Sequence, residues 1–228
     1  MTRILLFDLD ETLYPSDAGV MDYIRVRMQD YVRRRLGLTP SEADALRRIY
    51  LRDYGTTLRG LQINHQIDAE EYLRYVHDIP LDRCLRANPE LDAILGRISL
   101  EKVVFTNSSR EHAERVLGML GVRRHFTRIV DVRDMQYESK PQPAAYQTIC
   151  RLLGVRPQDC VIVEDSLRNL QPAKALGMAT ILVGSRQARA GDGVDEVIWR
   201  IEEIGAALAR LGLAGPDACV EPGDEASA

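Results

Sequence analysis

Ile4-Leu5-Leu6-Phe7-Asp8-Leu9-Asp10-Glu11-Thr12 passes from four consecutive apolar residues straight into acids. A short apolar run ended by a polar turn reads as a strand buried on both faces of a sheet. Asp8 and Asp10, two residues apart at the carboxyl end of that strand, can face one site. Such a pair suits a divalent cation, or a nucleophile working beside an acid. In isolation it also describes a polar turn leaving a sheet.

Outward from this stretch, β-branched and apolar runs recur at residues 103–106, Arg128–Val130, 161–163 and 180–183, with helix-like segments between them from the second run onward. That alternation predicts an α/β fold, a Rossmann-like parallel sheet with helices on both faces. Ligands of such sheets bind beyond the carboxyl ends of the strands, which directs attention to Asp8, to Thr106 and Asn107, and to Glu164 and Asp165. Residues 1–14 and 89–212 are assigned to this core.

The interval between the first two runs reads as helical almost throughout and is taken as an inserted α-helical bundle over 15–88, joined through 13–17 and 80–89. Val20, Ile24, Met28, Tyr31, Val32 and Leu36 recur at three- and four-residue spacing, an amphipathic helix ending near Gly37. Thr39-Pro40-Ser41-Glu42 carries an N-cap, a proline at the first helical position and a capping-box glutamate. Asp68 and Glu71 repeat that logic before Tyr72, Tyr75 and Val76. Residues 213–228, rich in Gly, Pro, Ala and acids, read as a flexible tail.

Two acidic pairs, Asp8/Asp10 and Glu164/Asp165, at one sheet edge repel each other unless a cation lies between them, which points to Mg²⁺. Thr106-Asn107-Ser108-Ser109 offers a hydroxyl and backbone N–H groups to phosphate oxygens, and serves equally as an N-cap cluster for the next helix. Lys140-Pro141 places an ammonium where it can neutralise phosphate charge.

Taken in order, these motifs resemble the haloacid dehalogenase superfamily along nearly the whole chain. Asp8-x-Asp10-x-Thr12 looks like its first motif, Thr106-Asn107 the second, Lys140-Pro141 the third and Glu164-Asp165-Ser166 the fourth. The insertion stands where that family places a helical cap. The resemblance implies a Mg²⁺-dependent phosphatase. Asp8 would be the nucleophile that becomes phosphorylated, with Asp10 as acid and base. Asp8, the backbone carbonyl of Asp10, Asp165 and Glu164 would hold the metal, and Thr106, Asn107 and Lys140 the phosphoryl group. Asp10 favours phosphate over haloacid, since the carbon–halogen hydrolases lack an aspartate at this place. Glu11 departs from the Gly or Asn that many relatives have there.

Residues 10–15 and 54–61 are similar to the pyrimidine 5'-nucleotidase branch. That likeness implies a pyrimidine nucleoside 5'-monophosphate as substrate, with Arg59 and Tyr54 as candidate contacts from the insertion. Arg59 paired with a carboxylate of the insertion is the structural alternative, and His65 and Asn64 read as structural. Phosphoglycolate or a sugar phosphate is the next substrate reading, followed by a phosphomutase and by a phosphate-binding protein without turnover.

The 228 residues, 45% of them hydrophobic, suit a core domain with a small accessory unit. A net charge of -4 gives no basic field for nucleic acid. Cys84, Cys150, Cys160 and Cys219 show no metal-type spacing and read as reduced thiols. No stretch approaches the ~20 apolar residues of a membrane span, and the start leaves no room for a signal peptide. A cytoplasmic monomer or homodimer acting on a small molecule is the expectation.

Overall fold

The structure, a computed structural model, describes residues 3–185, 190–191 and 193–213. Strand β1 (Ile4–Phe7) sits near the centre of a parallel sheet, between β2 (Glu101–Phe105) and β4 (Cys160–Glu164). Outside β2 lies β3 (Arg128–Val130), and outside β4 lie β5 (Ala179–Val183) and β6 (Glu196–Ile198). The five runs read from sequence are β1 to β5. Strand β6 carries no usable periodicity in three residues; it forms because β5 offers a free edge, pairing Ile181 with Glu196 and Val183 with Ile198.

The stretch after β1 folds as α1 (Val20–Leu36), α2 (Pro40–Tyr54), α3 (Thr57–His65), α4 (Ala69–His77) and the single turn α5 (Leu81–Cys84). Helices α6 (Pro89–Arg97), α7 (Arg110–Leu120), α8 (Pro143–Leu153) and α9 (Leu167–Ala175) alternate with the strands, and α10 (Ile204–Arg210) follows β6. Of the predicted tail, 214–228 lies outside the described residues, as does Cys219.

Alternation along the buried strands sorts the sheet's side chains into two cores. Leu5, Phe7, Val104 and Val161 face the side covered by α6, α7 and α10, through Leu91, Leu95, Val116, Leu117, Ile204 and Leu208. Ile4, Leu6, Phe105 and Ile162 face α8 and α9, through Tyr146, Ile149, Leu170 and Ala173. A third core belongs mainly to the insertion, where Tyr31, Val32, Tyr50, Leu61, Tyr72, Leu73 and Val76 pack together. The boundary runs inside the elements, because Val20 and Ile24 of α1, with Ile79, Leu81 and Leu85, pack into the sheet's first core.

Local signals in the insertion take the form the sequence suggests. The α2 capping box is complete: the Glu42 backbone N–H donates to Thr39 Oγ1 at 3.4 Å, and the Thr39 N–H donates to Glu42 Oε2 at 2.8 Å. At α4 the capping is one-sided. Asp68 accepts from the Glu70 and Glu71 N–H groups, while the Glu71 carboxylate turns to Arg35 at 3.6 Å. Gly60 lets α3 approach α2, since a Cβ there would stand 2.2 Å from Tyr50 Cγ.

His77, at the end of α4, stacks on His112 of α7 with ring centroids 4.5 Å apart. Burial first, and then the His112 ring, push its pKa from 6.5 down to about 3.

Two stability outcomes follow from this packing. Gly60→Ala forces the Tyr50 ring aside and should cost about 1–3 kcal/mol in urea unfolding. His77 binds fewer protons in the folded chain than in the unfolded one between about 3 and 6.5. Its contribution is therefore intact above 6.5 and is lost as pH falls through that window, at up to ~1.4 kcal/mol per pH unit. Urea titrations at pH 7 and pH 5 should show this loss, and His77→Gln should reduce it.

Candidate active site

The sheet's parallel register brings four strand ends to one edge. Phe7 aligns with Val163, so Asp8 follows β1 beside Glu164 and Asp165, and its N–H donates to Val163 O at 2.9 Å. Thr106 leaves β2 at the same level, its N–H bonded to Val130 O. Lys140 arrives from the segment after β3 and is 1% exposed. Its ammonium donates to Asp8 Oδ1 at 2.8 Å and to Glu164 Oε1 at 3.0 Å. The Asn107 side chain fixes the Lys140 backbone at both ends, accepting from its N–H and donating to its carbonyl, each at 2.9 Å.

Asp8, Glu164 and Asp165 each present an oxygen within 4.8 Å of the others. Burial raises the Asp8 pKa to about 7, with Lys140 opposing and Glu164 adding to the rise. Burial, then Glu164 and Asp8, raise Asp165 to about 9. Fully ionised, these carboxylates carry more negative charge than one lysine relieves. An all-oxygen donor set with unrelieved charge fits a hard divalent cation. Glu164 is less free than the other two, because it also accepts from the Ser166 N–H at 2.8 Å and from Asn169 at 2.5 Å.

Asp10 lies in a different environment. Burial opposes its ionised form, yet His112, with hydrogen bonds from His112, Ser108 and Tyr14, holds the carboxyl well below the usual range. Tyr14 OH stands 2.6 Å and His112 Nε2 2.8 Å from Oδ1, and Ser108 Oγ donates to Oδ2 at 2.6 Å. Sequence reading missed these partners. Tyr14 sits four residues after Asp10, and His112 occupies the first turn of α7 above its Ser109 N-cap, a placement that the capping signal contains.

Glu11 adopts φ +62°, a left-handed conformation that disfavours side chains other than Asn or Gly. This accounts for the residue types expected at its place. Its carboxylate reaches Arg25 of α1 at 3.1 Å, linking the strand end to the insertion.

A cleft of about 430 Å³ opens between this edge and the helices, and Asp8, Asp10, Thr106, Asn107, Lys140 and Asp165 all line it. The segment after α2 reaches the mouth through Gly55, Thr56, Thr57 and Leu58. Gly55, at φ +85°, passes so close to Lys140 that a Cβ would meet its carbonyl oxygen at 3.3 Å. Tyr54 and Arg59 are not among the lining residues. Arg59 is paired with Glu138 of the segment after β3, and Tyr54 packs edge-on against Tyr50. His65 bonds Tyr50 OH and Asn64 bonds the Gly60 carbonyl, both structural contacts.

The chain resembles known proteins in sequence and in fold. Over 195 residues the chain is 26% identical to phosphate metabolism protein 8 of Saccharomyces cerevisiae, covering 79% of this chain and 61% of that protein. It is 35% identical over 112 residues to a phosphoglycolate phosphatase of Chromobacterium violaceum, covering 49% of this chain and 50% of that one. The chain therefore spans only about half to three fifths of these relatives. Its fold superposes on a β-phosphoglucomutase from Clostridium difficile with a TM-score of 0.62 at 18% identity, covering 93% of this chain and 97% of that one. Residues 2–177, which hold every acid of the cleft edge, match the haloacid dehalogenase-like hydrolase family, and the chain belongs to that family.

Proposed function

We propose that the chain is a magnesium-dependent phosphomonoester hydrolase working through an aspartyl phosphate at Asp8. The observation that carries this reading is the Asp8 carboxylate itself, buried between Lys140 and Asp165 at the floor of the cleft, with Asp10 beside it in the same cleft. Asp8 attacks phosphorus, forming a new P–O bond as the ester P–O bond breaks. Asp10, protonated in the substrate complex because phosphoryl charge beside it disfavours its ionised form, delivers that proton to the departing oxygen, then takes one from the water that hydrolyses the aspartyl phosphate. Inorganic phosphate leaves and Asp8 is restored.

The His112 ring and the Ser108 and Tyr14 hydroxyls keep Asp10 oriented and hydrogen-bonded between these transfers. Lys140, the Thr106 hydroxyl and backbone N–H groups at Asn107 meet the charge of the transferring phosphoryl oxygens. Asp8, Asp165 and the Asp10 carbonyl would hold Mg²⁺, with Glu164 positioning Lys140 and supporting the set. When bound, the metal supplies positive charge opposite the phosphoryl oxygens.

The leading substrate is a nucleoside 5'-monophosphate, pyrimidine preferred. The cleft volume falls within the roughly 300–1,000 Å³ of small-molecule sites. Its helical wall brings Tyr72, Leu58, Leu73 and Val76 to face the acids, surfaces suited to a flat base. A small ester such as phosphoglycolate or a sugar phosphate is the second reading, favoured by the likeness to a phosphoglycolate phosphatase. The helices between β1 and β2 would act as a cap over the esters. Among the described residues no helix is long and apolar enough to cross a membrane, and Cys84, Cys150 and Cys160 are free thiols. The free thiols fit a cytoplasmic enzyme.

Phosphate release from UMP, CMP, AMP, GMP, phosphoglycolate and sugar phosphates tests the reading. Turnover should require Mg²⁺, stop with EDTA and fall about 10³-fold or more in Asp8→Asn. Turnover of small esters alone would keep the chemistry and remove the nucleotide; a fully active Asp8→Asn would overturn the mechanism. Independently of turnover, Mg²⁺ should raise the melting temperature of the wild type, and raise that of Asp165→Asn much less.

A further inference from the structure

The helical wall of the cleft holds one cation with incomplete partners. Arg47, on α2, lines the cleft with Asp8 and Lys140, and its side chain is 15% exposed. Its nearest carboxylate, Asp44, lies 3.6 Å away and is already paired with Arg48. One terminal nitrogen reaches Met28 Sδ at 3.7 Å, and Nε has no hydrogen-bond partner among the described residues. The Tyr72 hydroxyl is buried beside Arg47 and Thr57 without a hydrogen bond of normal geometry. The other arginines of the cleft are answered: Arg25 by Glu11 and Asp22, Arg48 by Asp44, and Arg168 by the Arg52 carbonyl.

An N–H of a charged group held out of water without an acceptor costs more than an ordinary hydrogen bond contributes. The guanidinium also presents its N–H groups as a planar fork, which matches oxygens held in a plane better than it matches scattered hydroxyls. We infer that Arg47, with the Tyr72 hydroxyl beside it, receives a planar oxygen acceptor on the leaving group of the substrate. The acceptor is a carboxylate or a conjugated ring carbonyl. The site thereby selects phosphate esters that carry such a group over esters whose leaving groups carry hydroxyls alone. This rests on the phosphatase reading above and adds the recognition element that Arg59 and Tyr54, directed elsewhere, do not provide.

The test compares kcat/KM for phosphoglycolate and for UMP, the two sources of acceptor, with that for glycerol 3-phosphate. Wild type, Arg47→Met, Arg47→Lys and Tyr72→Phe are measured with Mg²⁺. Arg47→Met keeps the length of the side chain against Met28, and Tyr72→Phe removes a single atom, so folding is guarded in two ways. The preference for an acceptor-bearing ester should fall about 10- to 100-fold in Arg47→Met, chiefly through KM. It should fall less in Tyr72→Phe and be partly restored in Arg47→Lys. Loss confined to phosphoglycolate assigns the carboxylate, and loss confined to UMP the ring carbonyl. An unchanged preference in Arg47→Met, or an equal fall for all three esters, would overturn the assignment while leaving the phosphatase intact. A wild type inert towards every ester in the presence of Mg²⁺ would overturn the phosphatase reading, and the role of Arg47 with it.

Discussion

One buried ammonium holds the working edge of this molecule together. Lys140 binds a carboxylate from the end of β1 and another from the end of β4, while Asn107 from the end of β2 grips its backbone. Lys140 itself arrives from the segment after β3, so four neighbouring strands meet through a single residue. Removing one member of a buried charge pair typically costs roughly 3–5 kcal/mol, because the other is left unanswered. The arrangement is thus a joint of the fold as well as a place for chemistry. It is also unbalanced, with three acids clustered around one lysine, and that imbalance makes the site receptive to a cation.

Two aspartates two residues apart are driven in opposite directions by their surroundings. Asp8 is buried next to Glu164, and its carboxyl is pushed up despite Lys140. Asp10 is also buried, but His112, Ser108 and Tyr14 all favour its ionised form. A cation beside Asp8 would lower its pKa and phosphoryl charge beside Asp10 would raise its own, towards the ionised nucleophile and the protonated acid that the proposed reaction needs.

The sheet and its acidic edge were legible because both are written locally. An apolar run followed by acids gives a strand and its carboxyl end at once, and Asp8, Thr106, Lys140, Glu164 and Asp165 each stand at or soon after such an end. The glutamate at position 11 was visible as a departure, and its left-handed φ supplies the reason. Contacts between distant segments were not legible. His112 meets Asp10 across 102 positions and Glu138 meets Arg59 across 79. Sequence proximity to a recognisable motif suggested Arg59 as a substrate contact; a carboxylate after β3 claims it instead. Arg47, with no motif around it, lines the cleft.

The apolar interior is divided. Tyr31, Tyr50, Leu61 and Tyr72 pack among themselves, and the strand residues that carry Asp8 and Glu164 pack elsewhere. Substitutions in separate cores change stability almost additively, so neither core has to be repaired when the other is altered. The face that looks down on the acids can then drift through many shapes while the acids stay where they are. A lineage built on this plan can change what it takes in without relearning how to cut it.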